Sequence, residues 1–208
     1  MARSGPKIGI FGGTFDPPHL GHLRVAEEVR ESFPLEEIWF IPAGSPPHKE
    51  RAYLPFTERL HLIELSIREN PYFKVLDIER EEKPSYTLKT LEKLSNLYRD
   101  KDFYLLLGWD AFMEMESWWN YQEFLHFASL IVFSRGKGNW NEASRVVDER
   151  AKRIWGPKAQ GKVFFIEVFP MEISSTTIRK LLLEGRSIRY LVPEAVYFYL
   201  REKRLTSP

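Results

Sequence analysis

Two histidines three residues apart, His19 and His22, close the stretch IGIFGGTFDPPHLGH at residues 8–22, behind a glycine pair, Gly12 and Gly13. An apolar run that breaks into two glycines reads as a strand whose carboxyl end lets backbone amides approach a ligand and permits positive φ. Asp16 is placed to cap, Pro17 or Pro18 suits a first helical position, and a helix is expected from about His19. A helix N-terminus beside such glycines is an anion site, and the i, i+3 spacing sets both imidazoles on one face of its first turn. There they would donate hydrogen bonds to a phosphate, with the helix dipole weighing against full protonation. Taken singly, each histidine reads more simply as a local cap or a packed helix residue; the pair, behind a strand and two glycines, reads as functional. Zinc does not fit, because a zinc pair usually sits at i and i+4 with a further ligand and HExxH is absent. Neither GxxxxGK[ST] nor GxGxxG occurs in the chain.

A second constellation, EISSTTIRKLL at 172–182, sets Ser174, Ser175, Thr176 and Thr177 at a helix start with Arg179 in its first turns. Hydroxyls and unpaired amides at a helix N-terminus hold a polyphosphate, and an arginine adds a planar charged fork. Alone, such a run is more often an N-cap. Only the two signals together point to a nucleotide.

The elements that must position these residues follow from patterning. Short β-branched or aromatic runs at 7–11, 37–42, 73–79, 102–108, 129–134 and 162–168 alternate with amphipathic helical patterns at 20–33, 57–70, 85–100 and 141–154, the sign of βαβ units and a mainly parallel α/β sheet. The tail from 174 to 208 reads as two helices split near Gly185 and Pro193. At 208 residues and 43% hydrophobic content the chain has enough apolar material for one well-filled core, so one domain over 1–208 is expected. The 30 basic and 29 acidic residues are spread along the chain, so no polybasic stripe marks a nucleic acid or membrane partner, and any bound anion is expected to be small. The absence of cysteine excludes disulfides, thiolate metal sites and cysteine nucleophiles. With no apolar run near ~18 residues and no signal-peptide pattern, a cytoplasmic protein, monomeric or homo-oligomeric, is expected. Two stretches resist the pattern, the proline-rich 42–55 and the aromatic 108–124. Both follow a candidate strand, at the sheet edge where ligands bind.

GGTFDPPHLGH and ISSTTIR resemble the two signature motifs of the nucleotidylyltransferase superfamily. PPHK (46–49), PSYT (84–87), GWD followed by WW (108–119), SRGKG (134–138) and GRSIRYLVPEAVYFYL resemble the bacterial nicotinate mononucleotide adenylyltransferase family, in order and over nearly the whole chain. The resemblance implies a Rossmann-like, doubly wound fold. It implies transfer of the AMP part of ATP to nicotinate mononucleotide, giving deamido-NAD and pyrophosphate with Mg2+, by in-line attack without a covalent enzyme intermediate. It further implies that the backbone of Gly12, Gly13, Thr14 and Phe15 lines the ATP phosphates. His19 and His22 would act on the transferring group, and Ser174, Ser175, Thr176 and Arg179 on the departing phosphates. Lys49 and His48 would reach in from their loop, Trp118 would stack on the pyridine ring, and Thr87 with the Trp119 amide would bind the nicotinate carboxylate. Arg135 would add positive charge, and Asp110 would meet ribose hydroxyls or the magnesium shell; the metal ligands stay open. A sister enzyme using nicotinamide mononucleotide or phosphopantetheine, or a sensor that binds nucleotide without chemistry, is the alternative.

Overall fold

The computed structural model describes residues 5–45, 52–134 and 140–203. Six strands, β1 (Lys7–Gly13), β2 (Glu37–Pro42), β3 (Phe73–Val75), β4 (Asp102–Gly108), β5 (Ser129–Ser134) and β6 (Val163–Glu167), form one sheet in the order 3-2-1-4-5-6. Every pairing is parallel. The expected doubly wound arrangement is therefore present, with the strand order reversing between β1 and β4.

Crossovers are made by α1 (Leu20–Ser32), α2 (Phe56–Ile67), α3 (Thr87–Leu97), α4 (Trp109–Met113), α5 (Phe124–Phe127) and α6 (Trp140–Trp155). Because helices cover both faces, the strands bury both sets of side chains. Ile8, Leu105, Leu107, Leu130 and Val132 pack with Leu91 of α3 and Val147 of α6, whereas Phe11, Leu106, Ile131 and Phe133 pack with Val25 and Val29 of α1 and Ile63 of α2. The aromatic stretch that resisted the pattern is short helical turns: α4, then 3-10 turns at Met115–Ser117 and Tyr121–Glu123, then α5.

β3 is shorter than the expected 73–79. After Val75 the last sheet bond is Leu76 N–H to Phe40 O at 3.0 Å, and a turn closed by Arg80 N–H to Asp77 O at 2.9 Å brings Glu79 inward. The helix expected over 85–100 begins only at Thr87, since the Ser85 hydroxyl is occupied by the Ser45 N–H at 2.8 Å.

The tail forms α7 (Ser175–Leu183) and α8 (Glu194–Glu202), divided where expected, with Gly185 at φ +65° and Pro193 as the N-cap. Ile178, Leu182, Val196 and Leu200 share a third core with Leu54 and Leu62. α8 is also pinned to α2 through Glu58, which accepts from Tyr199 Oη at 2.6 Å and pairs with Lys203. The Lys203 hydrogen bond, then that of Tyr199, holds the Glu58 carboxyl below its ordinary value near 4.5. A depressed carboxyl stabilises the fold above its unfolded pKa and loses that contribution as pH falls through the folded value. Glu58→Gln should therefore cost about 1 kcal/mol at neutral pH. Thermal melts should show the gap from the parent closing as pH drops below 4.5; a gap independent of pH would refute this.

Candidate active site

The carboxyl ends of β1 and β4 lie side by side at the reversal of strand order, where open α/β sheets bind ligands. A cavity of about 590 Å3 opens there. β1 and the turn after it supply Gly12, Gly13 and Thr14; the start of α3 supplies Thr87, α4 supplies Asp110, and the turn beyond α4 supplies Trp118 and Trp119. Ile10, Ile41, Leu91, Leu105 and Leu107 make the inner wall apolar. An apolar cavity of this size with a few converging polar groups suits a nucleotide-sized ligand.

A Cβ added at Gly12 would meet nothing within 4 Å, so the strand end presents bare backbone to the cavity. The positive φ expected of the glycines is found instead at Phe15, at +50°. That region costs a bulky residue of order 1–3 kcal/mol, and the surroundings hold it there. The Phe15 ring packs against Phe11 at 5.6 Å and Phe40 at 5.7 Å between centroids. Arg59 Nη1 donates to the preceding Thr14 carbonyl at 2.7 Å.

His19 is the N-cap of α1 and is buried, 2% exposed. Its ring stacks on that of His22 with centroids 3.6 Å apart and 23° between planes. Gly21 permits this, because a Cβ there would sit 3.1 Å from His19 Nδ1. His22 Nδ1 accepts from the His19 N–H at 3.2 Å, which in a neutral ring leaves the proton on Nε2. The two imidazoles are thus unequal: His19 is the inner ring and the half-buried His22 the outer. The Leu20 N–H donates to Leu191 O at 3.0 Å and the His22 N–H to His19 O at 2.9 Å. The first turn of α1 has therefore spent amides expected to face an anion, which shifts that work to the rings and the strand end.

Asp16 does not cap α1, and Pro17 and Pro18 precede the N-cap rather than opening the helix. The Asp16 carboxylate, 4% exposed, accepts from Tyr53 N–H at 2.7 Å and Leu54 N–H at 3.0 Å, and lies 3.8 Å from Arg179. It fastens the turn to a segment 37 residues away in sequence.

α7 is docked onto the same turn. Ser174 is its N-cap, accepting from Thr177 N–H at 3.1 Å. Ser175 Oγ donates to Pro17 O at 2.9 Å, and Arg179 donates from Nη1 to Asp16 O at 2.7 Å and from Nη2 to Thr176 Oγ1 at 3.2 Å. The structure therefore brings His22, Ser175 and Arg179 to one turn. Its link to the cavity is the Phe15 ring, 5.0 Å from the His22 ring and within 3.1 Å of a Cβ added at Gly13.

At the far end of the cavity Trp118 is half-buried against Phe124, with centroids 6.0 Å apart. Its N–H donates to Met115 O at 2.9 Å, whereas the Trp119 N–H has no protein acceptor among the described residues. The Trp119 ring lies 5.3 Å from that of Tyr86, and Lys89 Nζ sits over both rings, 5.5 Å from Tyr86 and 5.4 Å from Trp119. Asp110 is exposed in the first turn of α4. His48, Lys49 and Arg135 lie outside the described residues.

The sequence reading did not find Arg59, Glu79, Ser85 or Thr90. Burial pushes the Glu79 carboxyl up, against hydrogen bonds from Thr90, Ser85 and the Gly44 N–H; the Thr90 bond measures 2.6 Å. Arg59 had a signal, since it falls on the buried face of α2 with Leu62, Ile63 and Ile67. Glu79 had none, lying in a turn without periodicity. Among the described residues no group of three or more His, Cys, Asp or Glu could hold a metal ion, and no helix is long and apolar enough to cross a membrane.

The model of the cytidylyltransferase-like family matches residues 10–181. The chain is 40% identical over 200 residues to a protein of Oceanobacillus iheyensis named "Probable nicotinate-nucleotide adenylyltransferase", covering 96% of each. A protein of the same name from Syntrophotalea carbinolica is 39% identical over 206 residues, covering 93% of this chain and 94% of that one. Among solved structures, Plasmodium falciparum nicotinic acid mononucleotide adenylyltransferase complexed with NaAD superposes with a TM-score of 0.77 at 21% identity, covering 96% of this chain and 97% of that one, a likeness of fold.

Proposed function

This chain belongs to the nicotinate-nucleotide adenylyltransferase family, within the cytidylyltransferase-like group, and from that membership we propose that it transfers the adenylyl group of ATP to nicotinate mononucleotide, forming deamido-NAD and pyrophosphate in NAD biosynthesis. The observation that carries the reading is the single cavity that joins the bare strand end at Gly12 and Gly13 to Thr87, Trp118 and Trp119. One end suits phosphates and the other a flat ring with a carboxylate.

In the reaction a 5′-phosphate oxygen of the mononucleotide attacks the α-phosphorus of ATP in line. The bond from that phosphorus to the β-phosphate bridging oxygen breaks, and pyrophosphate leaves. Nothing covalent is required of the protein, so its work is positioning and charge stabilisation. The backbone of Gly12, Gly13, Thr14 and Phe15 runs along the phosphates. His22 donates from Nε2 to the α-phosphate, an assignment supported by the acceptor role of its Nδ1. His19 holds that ring from below. Ser174, Ser175, Thr176 and Arg179 serve the departing pyrophosphate; with two of its five donors on protein acceptors, Arg179 keeps others for it. Lys49 and His48 act on the same phosphates.

Trp118 stacks on the pyridine ring, while Thr87 and the Trp119 N–H donate to the carboxylate and Arg135 adds positive charge. An amide NH2 facing those donors would leave a buried donor unpaired, so the acid is preferred to the amide. Mg2+ enters as the ATP complex, consistent with a donor set that offers no protein cluster for it; Asp110 meets the ribose or the metal's shell. Residues 1–208 act as one nucleotidylyltransferase unit, supported by the core that Leu62 of α2 shares with α7 and α8.

The test is pyrophosphate release with ATP and Mg2+, offering nicotinate mononucleotide, nicotinamide mononucleotide and phosphopantetheine in parallel. The acid is expected to exceed the amide by at least tenfold in kcat/KM, about the cost of one unpaired buried donor. Equal rates for acid and amide would defeat the roles of Thr87 and Trp119, and no release with any acceptor would favour a sensor.

A further inference from the structure

Arg59 is a fully buried cation, 1% exposed, to which the reaction described above gives no role. Its guanidinium spends its donors on main-chain carbonyls from three separate segments. Nε donates to Leu54 O at 3.2 Å, Nη1 to Thr14 O at 2.7 Å and Nη2 to Ala43 O at 2.8 Å. Asp16 and Glu79 act on it through space, and burial lowers its pKa from 12.5. A charge is costly to bury, and carbonyls alone repay that cost less well than a carboxylate does. An apolar residue on this face of α2 would leave three carbonyls unpaired; a planar fork satisfies all three at once.

Those carbonyls border the phosphate turn. The Ala43 N–H returns to Gly13 O at 2.8 Å, so Arg59 and Gly13 hold the end of β2 between them. Leu54 is gripped on both sides, its N–H by Asp16 and its carbonyl by Arg59. Most directly, the Thr14–Phe15 peptide is trans, so its C=O and N–H point in opposite directions. With the carbonyl drawn toward α2, the Phe15 N–H faces away from it, and among the described residues no protein group accepts that N–H.

We propose that Arg59 is a positioning residue for ATP: by holding the Thr14 carbonyl it keeps the following peptide, in a left-handed turn that Phe15 would not adopt unaided, with its N–H presented to the nucleotide phosphates. This rests on the ATP reading of the site. A hydrogen bond to a charged group is worth about 1.5–3 kcal/mol, so losing it costs roughly 10–100-fold in affinity. Lysine keeps the charge but offers a point donor in place of the fork.

The experiment uses the full chain and Arg59→Lys, measuring by calorimetry the Kd of a non-hydrolysable ATP analogue and, separately, of nicotinate mononucleotide, alongside kcat and Tm. The variant is expected to fold and to bind the analogue about tenfold or more weakly, with a fall of about tenfold in kcat and with mononucleotide affinity within about twofold of the parent. Equal weakening of both ligands would mean a structural role only, and unchanged analogue binding would mean none; either overturns the proposal. A parent enzyme that fails to bind the analogue would instead overturn the ATP reading itself. If Arg59→Lys does not fold, amide NMR of the parent decides. The Phe15 N–H resonance should move downfield with the ATP analogue and not with the mononucleotide, and a resonance that stays in place with the analogue refutes the proposal.

Discussion

Replacing His22 by alanine is expected to lower kcat by about 10²–10³-fold, the usual cost of removing one preorganised donor aimed at charge that develops in a transition state. The geometry assigns that donor to His22 rather than His19. His22 is the outer ring of the stack and its Nδ1 accepts from the His19 N–H at 3.2 Å, so a neutral ring donates from Nε2. His19 is buried beneath it. Stability should move little, because deleting a half-buried ring at a helix start removes one 3.2 Å bond and edge contacts to Phe11 and Phe15. Steady-state kinetics beside a thermal melt separates the cases. A variant that melts early yet keeps its turnover would show His22 to be core alone.

Asp16→Ala is expected to produce the largest loss of stability, about 3–5 kcal/mol, as when one partner of a buried charge network is removed. The Tyr53 and Leu54 N–H groups would lose their acceptor, Arg179 its carboxylate at 3.8 Å, and the buried Arg59 one of the two negative charges that support it. For a chain of this size the Tm should fall by roughly 6–20 °C. Asp16→Asn, which keeps one acceptor oxygen, should fall between the variant and the parent. A Tm for Asp16→Ala within a degree or two of the parent, in matched scans, would refute the network. Because Asp16 also carries Arg179 through its carbonyl, activity measured below the transition tells whether the turn survives without the carboxylate.

Much of this fold was legible in one dimension. The six strands could be read because helices cover both faces of the sheet, so each strand is an almost unbroken apolar run between amphipathic segments. The break at Gly185 and Pro193 was legible too, because its chemistry is local. β3 was overextended because the sequence 76–79 keeps apolar residues after the chain has left the sheet. Those side chains, Leu76 and Ile78, are buried against the core from a turn, which alternation cannot distinguish from a strand.

The two phosphate motifs are also local: glycines at a strand end, histidines at a helix start, hydroxyls before a helix. Asp16 was misread because capping is the short-range option for an aspartate before a helix, whereas its acceptor capacity went to amides 37 and 38 residues on. Phe15 shows the same limit. A left-handed phenylalanine between Thr14 and Asp16 has no sequence signature, since what holds it is a guanidinium 45 residues away from its bonded carbonyl.

The sequence by itself determined the parallel α/β sheet, the two helix starts that carry phosphate chemistry, and the kinship carried by the motifs between them. Tertiary structure alone decided which histidine faces outward, what Asp16 binds, and how Arg59 holds the turn they share. The physical reason is that these decisions are made by backbone carbonyls and amides of distant segments. Such groups are identical at every position in the chain and acquire meaning only once folding has set them side by side.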